Sequence, residues 1–190
     1  MADSMKKREE PLMISICELD EFLAREAKRE QEQRGGILAI DPGNIESAAV
    51  LISKDYTPLA FTKTRNEDVL AIVKAGRYRE VVIEMVASYG MAVGASVFET
   101  CVWIGRYTQA ATDAGKEVTA RRRMEVKMNI CHDSRAKDSN IIQALIDRFA
   151  ANTRNHGKGT KKEPGFFYGF GKDVWQAYAL GVTHLDDLNF

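Results

Sequence analysis

Two short apolar runs in this chain each carry one carboxylate. Ile37–Ile40 ends in Asp41-Pro42-Gly43, and the run Glu80–Val86 (EVVIEMV) is interrupted by Glu84. Apolar runs of this length, bounded by turn residues, read as buried strands. A lone carboxylate buried in or beside such a strand costs several kcal/mol unless it is paired or binds a metal. Each acid taken alone has a plain explanation. An acid ahead of Pro-Gly is a good turn former, and Glu84 would suit a strand end with an arginine partner. Taken as an ordered pair, they constrain the fold: if the two strands are neighbours, both carboxylates meet at one edge of a sheet.

The intervening sequence fits such a sheet. Ser47–Ser53 (SAAVLIS) and Pro58–Thr64 read as two further strands, close enough in sequence to make an antiparallel meander. Asn66 is placed to cap a helix over Glu67–Lys74. Ser88–Gly94 reads as a loop, and a helix follows over Ala95–Ala114 with Val97, Cys101, Ile104 and Thr108 on one face. Glu117–Ala120 is a short strand, and Glu125–Cys131 a short helix. Lys137–Ala150 is an amphipathic helix with Ile141, Leu145, Ile146 and Phe149 inward. Ala151–Phe170, rich in Gly and Lys, reads as a mobile loop of the kind that carries function. The last helix covers Lys172–Leu185, with Val174, Ala177, Tyr178 and Val182 apolar. A meander followed by strands alternating with helices predicts an α/β fold, a mixed sheet covered by helices.

With 190 residues the chain suits one domain, here residues 35–190, preceded by an extension over residues 1–34. In that extension Ile16, Leu19, Phe22 and Leu23 recur at helical spacing, and Gly35-Gly36 ends the pattern. No apolar run approaches the ~20 residues of a membrane span, and the N-terminus lacks the apolar core of a secretory signal. Cytoplasmic residence is therefore expected. The three cysteines, Cys17, Cys101 and Cys131, are odd in number and irregular in spacing, so buried reduced thiols are expected in place of disulfides or a zinc site. His132, His156 and His184 have no metal-ligand spacing. Trp103 and Trp175 fall at helical spacing with apolar neighbours and read as core.

The formal net charge is zero, but it is unevenly spread. Lys116–Lys172 holds 13 Lys/Arg against 6 Asp/Glu, whereas Met1–Arg34 holds 7 against 9. A basic C-terminal half is compatible with a phosphate backbone as partner, and equally with a solvated surface. Asp173, at the start of the last helix, is placed to join Asp41 and Glu84. Three carboxylates facing one spot repel, and divalent cations relieve that repulsion. All-oxygen ligation suits Mg²⁺ or Mn²⁺, and two such ions about 4 Å apart are a standard device for phosphodiester hydrolysis.

Four segments, in order, resemble the RuvC family of Holliday junction resolvases, particularly its phage-encoded members, within the RNase H-like superfamily. They are ILAIDPGNIESAAVLI, VVIEMV, EVKMNICHDSRAKDSNIIQALIDRF and DVWQAYALGVTH, spanning Gly36 to His184. Asp-Pro-Gly alone would not separate this family from ATPases of the actin-like fold, but the chain is short for such an ATPase and shows no second phosphate-binding glycine loop. The resemblance implies a five-stranded mixed sheet with helices on both faces. It further implies a homodimer acting on four-way DNA junctions, with two metal ions per site and no small-molecule cofactor. Asp41, Glu84 and Asp173 match the family's metal carboxylates and become the candidate catalytic residues, with Lys127 beside them.

Gln176 stands where the family has a further Asp on the last helix. Residues three apart share a helix face, so Gln176 is expected to face the site as a weak ligand. The site is then a natural three-carboxylate one, an inactivated one, or one with a substitute acid, for which Asp138 and Glu46 are candidates. The first of these is preferred, with one ion bound weakly. Tyr89, Met91, Arg121, Arg122, Arg123, Lys127, Arg135, Lys137, Lys158, Lys161 and Lys162 are candidate DNA contacts, the arginine triplet reading equally well as a solvated strand-end cluster. Two rival functions follow: a relaxed nuclease for flaps and other branched DNA, and a non-catalytic junction-binding protein.

Overall fold

The computed structural model describes residues 35–189, apart from Tyr89 and Met91. The expected N-terminal helix and Cys17 lie outside the described residues.

The strands are β1 (Ile37–Asp41), β2 (Glu46–Ile52), β3 (Pro58–Arg65), β4 (Glu80–Met85) and β5 (Glu117–Arg122). The helices are α1 (Asn66–Ala75), α2 (Ala95–Asp113), α3 (Arg123–Cys131), α4 (Asp138–Phe149) and α5 (Lys172–Leu188). The strands form one five-stranded sheet in the order β3-β2-β1-β4-β5. The β1–β2 and β2–β3 pairs are antiparallel, while β4 pairs parallel with both β1 and β5. This is the mixed sheet the sequence predicts: short turns allow the antiparallel meander, and the α1 and α2 crossovers allow the parallel pairs.

Side chains alternate along β1 between two cores. Leu38 and Ile40 pack with Val69 and Val73 of α1 and with Ile104, Tyr107 and Ala111 of α2. Ile37 and Ala39 pack on the opposite face, beneath α5, with Ile141 and Leu145 of α4 and Val126 of α3. Burial on both faces explains why β1 reads as an unbroken apolar run. On α5, Val174 through Asp186 are all buried. A Cβ at Gly181 would lie 3.1 Å from Ile52 Cγ2 and 3.2 Å from Ala39 Cβ, so glycine there lets α5 lie close against the sheet.

Several expectations are corrected. The inward face of α2 carries Thr100, Ile104, Tyr107 and Ala111, and Cys101 is exposed. Only Cys131 of the two described thiols is partly covered. Asn66 does not cap α1: its side chain makes no cap bond, and the residue is buried within the helix. The stretch between α4 and α5 is folded, with no long free loop. Phe167 and Phe170 are buried in the α5-side core, Phe167 against Trp175 at 4.4 Å between ring centroids. The backbone closes on itself through Phe167 N to Gly157 O at 2.8 Å and Thr160 N to Glu163 O at 2.9 Å. The Gly and Lys content hid an aromatic anchor. Trp175 is core as expected, whereas Trp103 is half-buried beneath Arg106.

Candidate active site

The parallel register carries Asp41 and Glu84 to one edge. Ile40 pairs with Ile83, and the next step along both strands is Asp41 beside Glu84. Strand alternation puts Asp41 on the Ala39 side and Glu84 on the Val82 side, which is the α5 face for both. The chain then turns at Pro42-Gly43. A Cβ at Gly43 would fall 2.3 Å from the Glu46 carbonyl oxygen, so only glycine fits this closely folded turn.

A buried polar network fixes the turn. Gly43 N donates to Ser47 Oγ at 3.3 Å, and Ser47 Oγ donates to Asn66 Oδ1 at 2.6 Å. Asn66 Nδ2 returns to the Gly43 carbonyl at 3.0 Å. Tyr107 of α2 closes the network, its hydroxyl lying 3.1 Å from Ser47 Oγ and donating to the Asn66 carbonyl at 3.3 Å. None of these three side chains was singled out from sequence as part of the site. The one available signal, an Asn at a strand–helix junction, points to capping.

The first turn of α5 supplies Asp173 and, one turn on, Gln176. An acid in a helix's first turn is favoured by the helix dipole. Asp173 pairs with Lys63 of β3 at 2.5 Å, and Lys63 reaches Glu46 at 3.5 Å. Gln176 is 5% exposed, and its Oε1 accepts a hydrogen bond from Arg123 while its Nε2 is buried without a partner among the described residues.

Arg123 is the centre of the arrangement. It opens α3, where Glu125 Oε2 accepts the Arg122 backbone N–H at 2.6 Å and so fixes the helix entry. Its guanidinium meets Glu84 at 3.3 Å and Asp138 at 2.7 Å, in addition to Gln176. Asp138 is held at the start of α4, where Asn140 Oδ1 accepts the Lys137 N–H at 2.9 Å. Of the two proposed substitute acids, Asp138 thus adjoins Glu84 through Arg123, and Glu46 adjoins Asp173 through Lys63.

The field at this edge is negative. Burial, then the charge of Glu84, pushes the Asp41 carboxyl up to about 7, against an opposing pull from Arg123. Burial raises Glu84 as well, with Arg123 again opposing. Among the described residues, no side-chain hydrogen bond or ion pair reaches the Asp41 carboxylate. Asp41 therefore fits a hard cation, with Glu84 and Asp173 as further oxygen donors. Among the described residues no three acids, histidines or cysteines converge on one point as they stand. Their counter-charges are those of Arg123 and Lys63.

The other candidate residues divide. Lys127 is half-buried and close enough to Glu84 to favour its ionised form. Arg122, Arg135, Lys137, Lys161 and Lys162 are exposed. Arg121 is engaged inside the fold, with Asp187 at 2.5 Å and His184 Nδ1 at 3.4 Å. Lys158 donates to the Phe170 carbonyl at 2.9 Å and holds the aromatic segment. Tyr89 and Met91 lie outside the described residues. His184 is buried against Glu80 at 3.2 Å, away from the acid edge.

No protein-family model and no curated protein sequence matches the chain. Solved structures do match. The structure of RuvC from Thermus thermophilus aligns with a TM-score of 0.57 at 17% identity, covering 80% of this chain and 95% of that one. A structure described as T. thermophilus RuvC in complex with Holliday junction substrate aligns with a TM-score of 0.58 at 14% identity, covering 82% and 95%. At these identities the likeness speaks to architecture. The chain has the RNase H-like fold in the form seen in RuvC: a five-stranded mixed sheet, antiparallel then parallel, flanked by helices.

Proposed function

We propose that the chain is a divalent-metal-dependent endonuclease that resolves four-way DNA junctions. The observation that carries this reading is the placement of Asp41 and Glu84 on neighbouring strand ends of a RuvC-like sheet, with Asp173 of α5 near enough to add to the negative field at Asp41. These three acids would hold Mg²⁺ or Mn²⁺. When bound, the ion supplies Lewis-acid neutralisation of the charge that builds on the phosphodiester.

The chain's own residues supply the rest. The Ser47–Asn66–Tyr107 network keeps the Asp41 turn rigid, so its carboxylate needs little reorganisation. Lys127 lies near enough for its charge to act on Glu84, and on this reading it would also offset charge building on a scissile phosphate. Arg122, Arg135, Lys137, Lys161 and Lys162 present exposed charge to the DNA backbone, and such contacts make binding weaken steeply with salt. Phe98 and Val102, 61% and 54% exposed and one turn apart on α2, offer apolar surface for a homodimer. Among the described residues no helix is long and apolar enough to cross a membrane. The resemblance to phage-encoded members suggests phage recombination or DNA packaging, in the host cytoplasm, as the setting.

The test is cleavage of a synthetic four-way junction with Mn²⁺ against a linear duplex control. Symmetric paired nicks on strands of like polarity are expected, and Asp41→Asn should abolish them while leaving junction binding intact. Cleavage by Asp41→Asn at the wild-type rate would sink the metal-site reading. Equal cutting of flaps and junctions would point to the relaxed nuclease. Gln176, neutral at a position where the family has an acid, favours the second reading, a junction-binding protein without catalysis; binding without nicking in Mn²⁺ would establish it.

A further inference from the structure

The proposed nuclease site departs from a four-carboxylate, two-ion site in one coordinated way. Where an acid would stand on α5 there is an amide, Gln176, and a guanidinium lies against that amide. Arg123 does more than pair with one acid. It contacts Glu84 from β4 at 3.3 Å, Asp138 from α4 at 2.7 Å, and Gln176 Oε1 from α5. Three oxygen donors from three separate elements around one positive centre is the pattern by which a protein holds a hard cation.

We propose that Arg123 is a built-in second cation of the site, so that the chain binds one divalent ion, on Asp41, Glu84 and Asp173, in place of two. The inference rests on the nuclease reading above and sets its metal stoichiometry.

Three physical points support it. A guanidinium is charged at every working pH and its planar fork presents five donors, so one group serves several oxygens at once. The amide at 176 suits this neighbour: its oxygen accepts from Arg123 without adding a charge, which leaves Arg123 to offset Glu84 and Asp138 alone. The arrangement is also fixed locally. Arg123 is half-buried at the first turn of α3, where Glu125 locks the entry, so the charge is positioned before any DNA arrives. A fixed cation beside the scissile phosphate stabilises developing negative charge as a second ion would, without having to be recruited from solution.

Mn²⁺ binding to the full-length protein, followed by the electron paramagnetic resonance signal of free Mn²⁺ and by titration calorimetry, tests this without any turnover. Wild type is expected to bind one Mn²⁺ per chain. The double variant Arg123→Ala/Gln176→Asp is expected to bind two, since it removes the fixed charge and restores a fourth acid. Gln176→Asp alone should still bind one, because Arg123 stays and gains a carboxylate partner. Circular dichroism confirms that each variant is folded, and the wild-type count decides the matter if the double variant is not. Two ions on wild type would overturn the inference, showing Arg123 to be a displaceable occupant, and would leave the nuclease reading standing. No ion on wild type at millimolar Mn²⁺ would overturn both.

Discussion

Asn66→Ala removes the hub of the network behind the Asp41 turn. Asn66 is 0% exposed, and its amide makes two bonds to the β1–β2 hairpin, 2.6 Å from Ser47 and 3.0 Å to the Gly43 carbonyl. Each neutral hydrogen bond contributes about 1 kcal/mol net, and a partner left unsatisfied in a partly buried place adds roughly 1–2 kcal/mol more. Ser47 keeps Tyr107 as a partner, so the added penalty falls mainly on the Gly43 carbonyl. The expected loss is about 2–4 kcal/mol, and for a domain of this size about 3 kcal/mol corresponds to a fall of roughly 6–12 °C in melting temperature. Urea denaturation followed by circular dichroism should show a lower midpoint at unchanged slope.

Asn66→Asp separates hydrogen bonding from shape. The new carboxylate keeps the Ser47 bond but sets a second oxygen against the Gly43 carbonyl, a contact that is satisfied only when the acid carries a proton. Folding would then raise this acid's pKa, so the bond stabilises below that raised value and is lost as pH rises through it. The Asp variant should therefore gain stability relative to the Ala variant as pH falls from 7 to 5. The account is refuted if Asn66→Ala stays within ~0.5 kcal/mol of wild type, or if the Asp variant shows no such recovery.

Other perturbations test separate parts of the structure. Gly43→Ala sets a Cβ 2.3 Å from the Glu46 carbonyl, so the turn must open; junction cleavage should fall on the order of 10²-fold with the far-ultraviolet dichroism spectrum unchanged. Phe167→Ala empties a fully buried ring site against Trp175 and should cost about 3–5 kcal/mol by chemical denaturation, which a free loop would not show. Burial raises Glu80, but hydrogen bonds from Arg79 and His184 outweigh it and hold the carboxyl below its ordinary value. That stability is present above the unfolded carboxylate range, about pH 4.3, and is lost as pH falls through the folded value. Wild type should thus lose melting temperature more steeply than Glu80→Gln below about pH 4.

The sheet and the acid edge could be read from residues whose local surroundings are unusual. A carboxylate in an apolar run stands out, so Asp41 and Glu84 drew notice, whereas pairing Asp173 with Gln176 as site positions rested on the family resemblance, with helical spacing putting both on one face. What escaped depends on which way a side chain faces in three dimensions. Arg121, Arg122 and Arg123 look alike in sequence, yet the first is tied to Asp187, the second is exposed and the third joins three elements at the site. Asn66 has the composition of a cap and the burial of a core residue. The aromatic anchor Phe166–Phe170 was masked by flanking Gly and Lys, which set the average polarity of the window. Lys63 gave no signal, because its partner Asp173 lies far along the chain on another element.

The position of α5 bears on when the proposed site is complete. It is the last of the described elements in chain order, it supplies Asp173, and it covers the sheet face to which Asp41 and Glu84 project. A nascent chain that has emerged only as far as α4 has its first two acids but neither the third nor the roof that buries them. On the nuclease reading proposed above, completion of the acid set and closure of the core arrive together, when α5 has been made, and a chain ending at α4 is expected to show no cutting activity.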